Sequence, residues 1–337
     1  MNFRKIVSFA FIMASLSMAS FAKTKIVTTI FPEYDWVRQI VGEKADKAEI
    51  TMLLNNGVDL HSFQPSVKDI ASIGNADIFI YVGGESDGWV DGVLKNAKNK
   101  KLVAINLLEV LGERVKEEES VEGMEAEHHH HHDEAEEEHH HHEKAEEHHH
   151  DHDEDEDEIE YDEHVWLSVK NAKILCEAIA DILCKTDSVN AAVYKKNLAA
   201  YSAKLDSLDK EYESCVKNAK RKVVLFGDRF PFRYLTDDYG IKYYAAFKGC
   251  SAETEASFKT IIFLAGKIDE HKLPYVLQIE KSSGKIPATI IKNAKSKNVS
   301  VLTMDSMQAT TSLDVKKGAN YFDIMKSNLE VLKKALN

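Results

Sequence analysis

The chain has no His-Glu-x-x-His run and no Cys-x-x-Cys pair anywhere in its 337 residues. The first absence removes the compact helical motif on which a secreted zinc hydrolase would hold its metal. The second, in a chain with only four cysteines, removes zinc–thiolate knuckles, whose ligands come at that spacing. After residue 22 no apolar run is long enough to span a bilayer. Outside one segment histidine is scarce too: only His61, His164 and His271. From Ser188 to Ala219 there is neither glycine nor proline, so nothing interrupts a helix.

What the chain does have is concentrated between Glu117 and Glu163. Thirteen of the 16 histidines lie from His128 to His152, in unequal clusters separated by acids. The segment holds 24 Asp or Glu against one Lys, a balance of −23 in a chain of −13, so the remainder carries +10. With almost nothing to build a core, residues 117–163 are expected to form a solvated, disordered loop. Imidazoles interleaved with carboxylates are ligands for borderline metals such as zinc, and a flexible chain makes many interchangeable sites of them. Metal capture is preferred here to an inert acidic solubility loop. An expression tag suits neither the internal position nor the several unequal clusters.

The first 22 residues read as a secretory signal peptide. Arg4 and Lys5 supply its positive start, Ile6 to Ala19 its apolar run, and Ser20-Phe21-Ala22 its cleavage spacing. No cysteine stands at that junction, so a periplasmic protein is expected rather than a lipid-anchored one. The remainder exceeds what one core usually supports, so two domains are expected. Short apolar strands are predicted at 25–30, 48–53, 77–82 and 102–106, and again at 222–226, 241–245, 275–279 and 299–304. Helical patterns fall between them, among them 33–41, 66–73, 87–97 and 319–336. The expected class is α/β, with two parallel-sheet lobes at 23–187 and 220–337.

Between the lobes, Leu198, Tyr201, Leu205, Leu208, Tyr212 and Cys215 recur at spacings of three and four. They mark one amphipathic linking helix over 188–219, roughly 45 Å long, and a stiff connector of that kind implies limited hinge motion. Cys176 and Cys184 stand eight apart on one predicted helix, roughly 12 Å, which is too far to bridge. Two disulfides would join each of them to Cys215 or Cys250, and a single one could instead join Cys215 to Cys250.

Of the three histidines outside the tract, His271 sits in a charged helix end and is assigned no role. His61 follows a predicted strand and Gly57, with Ser66 placed to cap the next helix. His164 stands in Asp162-Glu163-His164-Val165-Trp166, directly after the tract. With Gly57…His61-Ser62-Phe63…Pro65-Ser66, Phe31-Pro32, Asp77-Ile78-Phe79-Ile80, Glu253-Thr254-Glu255-Ala256-Ser257 and Thr303-Met304-Asp305-Ser306, this resembles the solute-binding proteins of zinc and manganese ABC importers. The resemblance covers nearly the whole mature chain, and a His/acidic loop before the second histidine is typical of the zinc members.

The resemblance implies a metal in the cleft between lobes, with two ligands from each. His61 and His164 would be the first lobe's pair, and Asp305 would match the late aspartate of the second. The remaining family position, a His or Glu just after the first strand of the second lobe, falls on Gly227 in Phe226-Gly227-Asp228-Arg229. Asp228 could ligate if the turn rotates by one residue, or could pair with Arg229 or Arg233 while water or a tract histidine takes the place. Glu253 and Glu255 are read as capping the following helix. Two imidazoles, one carboxylate and an adjustable fourth position suit zinc.

The expected function is therefore high-affinity zinc capture in the periplasm and delivery to an ABC permease, with ATP hydrolysis on a separate subunit. A manganese-type importer protein and a passive zinc buffer are the alternatives. The negative tract would hover near lobes carrying +8 and concentrate divalent cations there. The chain is expected to be a monomer, not an enzyme, with no nucleic-acid partner.

Overall fold

The structure is a computed structural model that describes residues 23–42, 48–124, 160–251 and 255–337. The expected signal peptide, the body of the His/acidic tract and Glu253 lie outside the described residues.

Strands β1 (Thr24–Thr28), β2 (Ala48–Met52), β3 (Ile78–Tyr81) and β4 (Val103–Asn106) form a parallel sheet in the order β2-β1-β3-β4. Strands β5 (Val223–Phe230), β6 (Lys242–Lys248), β7 (Tyr275–Ile279) and β8 (Ser300–Met304) repeat that order in a second parallel sheet, β6-β5-β7-β8. In each sheet the chain steps to one side of its first strand and then crosses to the other. That leaves a crevice at the carboxyl ends of the strands, where α/β proteins bind ligands.

Parallel strands need crossovers, and apolar faces on both sides of the sheets call for helices. The first sheet has α1 (Phe31–Val41), α2 (Val67–Gly74), α3 (Val90–Lys95) and α4 (Leu107–Leu111). Next come α5 (Val169–Thr186) and the long α6 (Ala191–Lys217). The second sheet has α7 (Arg233–Tyr239), α8 (Phe258–His271) and α9 (Lys285–Asn293), followed by α10 (Ser312–Lys316) and α11 (Tyr321–Ala335). Ser66 caps α2 as expected, exchanging hydrogen bonds with Asp69 in a capping box. A single helix over 87–97 does not form: a 3-10 turn at Glu85–Asp87 precedes the shorter α3, in a stretch carrying Gly88 and Gly92.

The two sheets share one core. Its larger part runs from the first sheet through α5 and α6 to Phe226, Phe232, Leu277, Met304 and Tyr321 of the second. A smaller cluster, with Leu225, Ala246, Leu264 and Ile290, packs the second sheet against α8 and α9. On α6 the predicted stripe is buried at Tyr201, Leu205, Leu208 and Tyr212, and half-buried at Leu198 and Cys215. The Asn197 amide of that helix donates to the Ile40 carbonyl at 3.0 Å. At the far end of the chain the Tyr321 amide donates to Asp35 at 2.9 Å and its ring sets its edge on Trp36. Opening the lobes must therefore work against a continuous apolar seam.

The ends of the acidic tract depart from expectation. Glu117 and Tyr161 form an antiparallel bridge, and the Glu118 amide donates to the Glu160 carbonyl at 2.8 Å. Lys248 faces Glu118 at 3.5 Å and Glu160 at 4.0 Å, and Arg233 faces Glu119 at 3.1 Å, so cations of the second lobe reach both ends. Residues 117–119 and 160–162, expected as part of a solvated loop, are thus held against the lobes, and residues 125–159 of that expected loop lie outside the described residues. All four cysteines are free thiols.

Candidate metal centre

His61 is presented by a single 3-10 turn, Leu60–Ser62, whose Leu60 is buried as its anchor. Asp59 caps that turn, one carboxylate oxygen accepting from the His61 amide at 3.1 Å and the other from Arg229 at 2.7 Å. Burial alone would raise the Asp59 carboxyl, but Arg229 and His61 outweigh it and hold it below its usual range. Arg229 lies on β5 and Asp59 after β2, so this pair crosses the cleft.

His164 sits just before a second 3-10 turn, Val165–Leu167, and is wholly buried. One Asp162 oxygen takes both its backbone amide and its ring Nδ1, each at 2.9 Å. On His61, ring Nδ1 faces Ser86 Oγ at 2.9 Å and a Glu163 oxygen at 3.4 Å. Burial favours a raised Glu163 carboxyl, yet its hydrogen bonds with His61 and Ser86 hold it below the usual range. Gly84, at φ +78°, lets Glu163 come this close, because a Cβ there would overlap its carboxyl.

A carboxylate accepts and does not donate, so His164 Nδ1 carries the proton and its Nε2 presents a lone pair; at His61 the neighbouring Glu163 carboxylate favours the same tautomer, with Ser86 able to serve either one. The two Nε2 atoms stand 3.2 Å apart. Two nitrogens at 2.0–2.1 Å from a tetrahedral ion are about 3.3 Å apart. The pair is spaced as two ligands of one small cation, with carboxylates behind each ring to fix its tautomer.

The second lobe brings two further groups to this point. Among the described residues, one group of His, Cys, Asp or Glu has its ligand atoms all within 4.8 Å of one another: His61, His164 and Cys250. Gln308 Nε2 lies 2.5 Å from His164 Nε2 and 3.5 Å from His61 Nε2, while its Oε1 is buried without a partner. Burial, then the carboxylates of Glu118, Asp162 and Glu163, push the Cys250 thiol up, so it is protonated here. A cavity of about 270 Å³ reaches His61 and Cys250 from outside and is lined by Glu85, Glu118, Glu160 and Glu163.

Asp228 and Asp305 are not in that group. Asp228 accepts from the Arg229 and Ile279 amides at 2.9 and 3.4 Å, and pairs with neither arginine side chain. Arg229 holds Asp59, and Arg233 holds Glu119 and Asp237. Asp305 accepts from the Met307 amide at 2.8 Å and sits beside Glu280, which itself holds Ser306. Gly227, where the resemblance placed a missing ligand, turns toward α9, since a Cβ there would meet Pro287 Cα at 2.9 Å. The register of β5 shifts between Phe226 and Arg229, which puts Arg229 rather than an acid into the cleft. His271, given no role, contacts Tyr244 at the end of α8.

Asp305 yields a prediction. Burial and then Glu280 raise its carboxyl to about 6. A raised acid costs stability once ionised, fully above pH 6 and not at all below about pH 4. Asp305→Asn should therefore stabilise the metal-free protein at pH 7.5 by about 1–2 kcal/mol, a gain that fades as pH falls to 4. Zinc affinity should stay within a few-fold. Melting curves at both pH values, with a zinc titration, check both halves; a collapse of zinc affinity would make Asp305 a ligand.

Gly84-Glu85-Ser86-Asp87-Gly88 follows β3 and has the spacing of a hydrolase nucleophile elbow. The geometry does not support that chemistry. In a serine relay the hydroxyl and the acid address opposite ring nitrogens, whereas Ser86 and Glu163 both face His61 Nδ1. Ser86 orients the imidazole instead.

The model of the ZnuA family, described as zinc-uptake complex component A periplasmic, matches residues 26–335. Zinc-binding protein AdcA of Streptococcus pyogenes serotype M6 is 31% identical over 315 residues, covering 92% of this chain and 56% of that protein. The chain thus spans little more than half the length of that relative. High-affinity zinc uptake system protein ZnuA of Bacillus subtilis is 31% identical over 314 residues, covering 93% of this chain and 88% of that one. Among solved structures, the Zn(II)-bound ZnuA-like domain of Streptococcus pneumoniae AdcA superposes with a TM-score of 0.67 at 28% identity, covering 94% of this chain and 99% of that one. The metal-dependent lipoprotein YcdH of Bacillus subtilis gives 0.70 at 27%, covering 93% and 99%.

Proposed function

The chain belongs to the ZnuA family, and from that premise we propose that it captures zinc outside the cytoplasm and delivers it to an ABC permease. The observation that carries the reading is the pair of buried-side imidazoles, Nε2 to Nε2 at 3.2 Å, each backed by a carboxylate at Nδ1. His61 and His164 are the ligands of the first lobe. Asp228 and Asp305 have no metal bond in this reading, because backbone amides engage their carboxylates away from the imidazoles.

Capture begins at the acid-lined opening. Glu118 and Glu160, at the two roots of the His/acidic tract, line the same cavity as His61. Divalent cations concentrated by the tract are thereby held beside the port that leads to the imidazoles. The periplasm is the proposed location and a single chain the proposed working unit, with loaded lobes docking together on the permease. Softer imidazole donors favour zinc over manganese, which prefers oxygen.

Deleting residues 125–159, which spares the pinned roots, tests capture against passive buffering. Calorimetry on the deleted chain should show one tight zinc site retained and the number of weaker sites reduced. Loss of all tight binding would make the tract the binder and the two lobes its carrier.

A further inference from the structure

Cys250 enters the imidazole group from the loop after β6, at the carboxyl end of the second sheet. The residue before it makes the approach workable. A Cβ on Gly249 would stand 2.9 Å from His164 Cε1 and 3.0 Å from the Phe230 carbonyl, so only glycine lets this backbone pass the imidazole. The Cys250 amide is tied to Glu118 at 3.3 Å, fixing the loop to the rim of the opening. Independently, Gln308 is 5% exposed and turns its amide onto both imidazoles with an oxygen left unpartnered. A buried polar oxygen with no partner, on a side chain that touches both imidazoles, marks a place built for something not supplied by the protein.

Building on the zinc-capture reading, we propose that Cys250 is the metal ligand contributed by the second lobe. A four-coordinate zinc holds nitrogen and sulfur about 3.6 Å apart, so a sulfur within 4.8 Å of one ring nitrogen of each imidazole is already near bonding range. On binding, the S–H bond breaks, a zinc–sulfur bond forms, and the proton leaves to water through the acid-lined opening. No electron changes hands. The ligand joins the lobes through the metal itself: two imidazoles from one sheet, one thiolate from the other. A soft thiolate also discriminates against manganese, magnesium and calcium more strongly than a carboxylate in that place would.

Cobalt(II) provides the test, because only a thiolate ligand gives the intense near-ultraviolet charge-transfer band, and the tract contains no cysteine. The full-length protein loaded with one equivalent should show that band. It should vanish in Cys250→Ser and persist in Cys184→Ser and Cys215→Ser. Zinc affinity of Cys250→Ser should fall by at least about 100-fold, beyond what loss of an outer-shell partner costs. A tight, His61-dependent site without the band, or with a band that survives Cys250→Ser, overturns this ligand and leaves the zinc reading standing. If no tight site depends on His61, the zinc reading itself fails and this proposal fails with it.

Discussion

His61→Ala is expected to remove the single tight zinc site while the protein keeps its fold. The ring sits partly exposed on the opening, and its loss leaves little buried space behind. What is lost is one of two nitrogens spaced for the same ion, and water in its place cannot match an imidazole held in position by Ser86 and Glu163 at its Nδ1. The effect should exceed the roughly 10–100-fold typical of an outer-shell change. His164→Ala should do the same to zinc but also lower stability, because that ring is fully buried and packs on Trp166 at 5.3 Å. Calorimetry in competition with a chelator reads the tight site; circular dichroism reads the fold. Undiminished tight binding in both variants would remove the site.

Trp166→Ala should cost the most stability of any single change near the centre. The ring is 1% exposed, and its Nε1 donates to the Ser306 carbonyl at 2.8 Å across the lobes. Its own carbonyl accepts from Tyr321 at 2.7 Å. Truncation removes a large buried ring and strands the Ser306 carbonyl, which together predict about 3–5 kcal/mol. Melting should drop by on the order of 5–10 °C, and saturating zinc should recover part of it, since only the folded protein holds the site. A melting point within a degree of the parent would show that the turn after His164 does not hold the lobes together.

Most of the architecture was legible because it rests on local signals. Eight apolar, β-rich runs stand where the strands are, and the uninterrupted stretch with its three-and-four stripe became α6. His61 and His164 were legible from their surroundings: a capped turn after a strand in one case, a motif against the tract in the other. Which groups of the second lobe stand beside the imidazoles was not. β5 runs on to Phe230 through a register shift, and no local pattern announces a bulge that aims Arg229, not Asp228, across the cleft. Disulfide geometry and Cys-x-x-Cys spacing are the rules by which a cysteine is read in a sequence, and neither describes a thiol such as Cys250 standing beside two imidazoles. The signal available was Gly249-Cys250 at the carboxyl end of a parallel strand. Gln308 gave none, because its role exists only once the loop after β8 folds over the imidazoles.

The most direct measurement is anomalous diffraction at the zinc edge from crystals of the protein carrying one equivalent of zinc. A single strong peak bonded to His61 Nε2 and His164 Nε2 is the predicted result. A peak on Asp228 or Asp305 with the imidazoles unbound, or no ordered peak between the sheets at all, would contradict it.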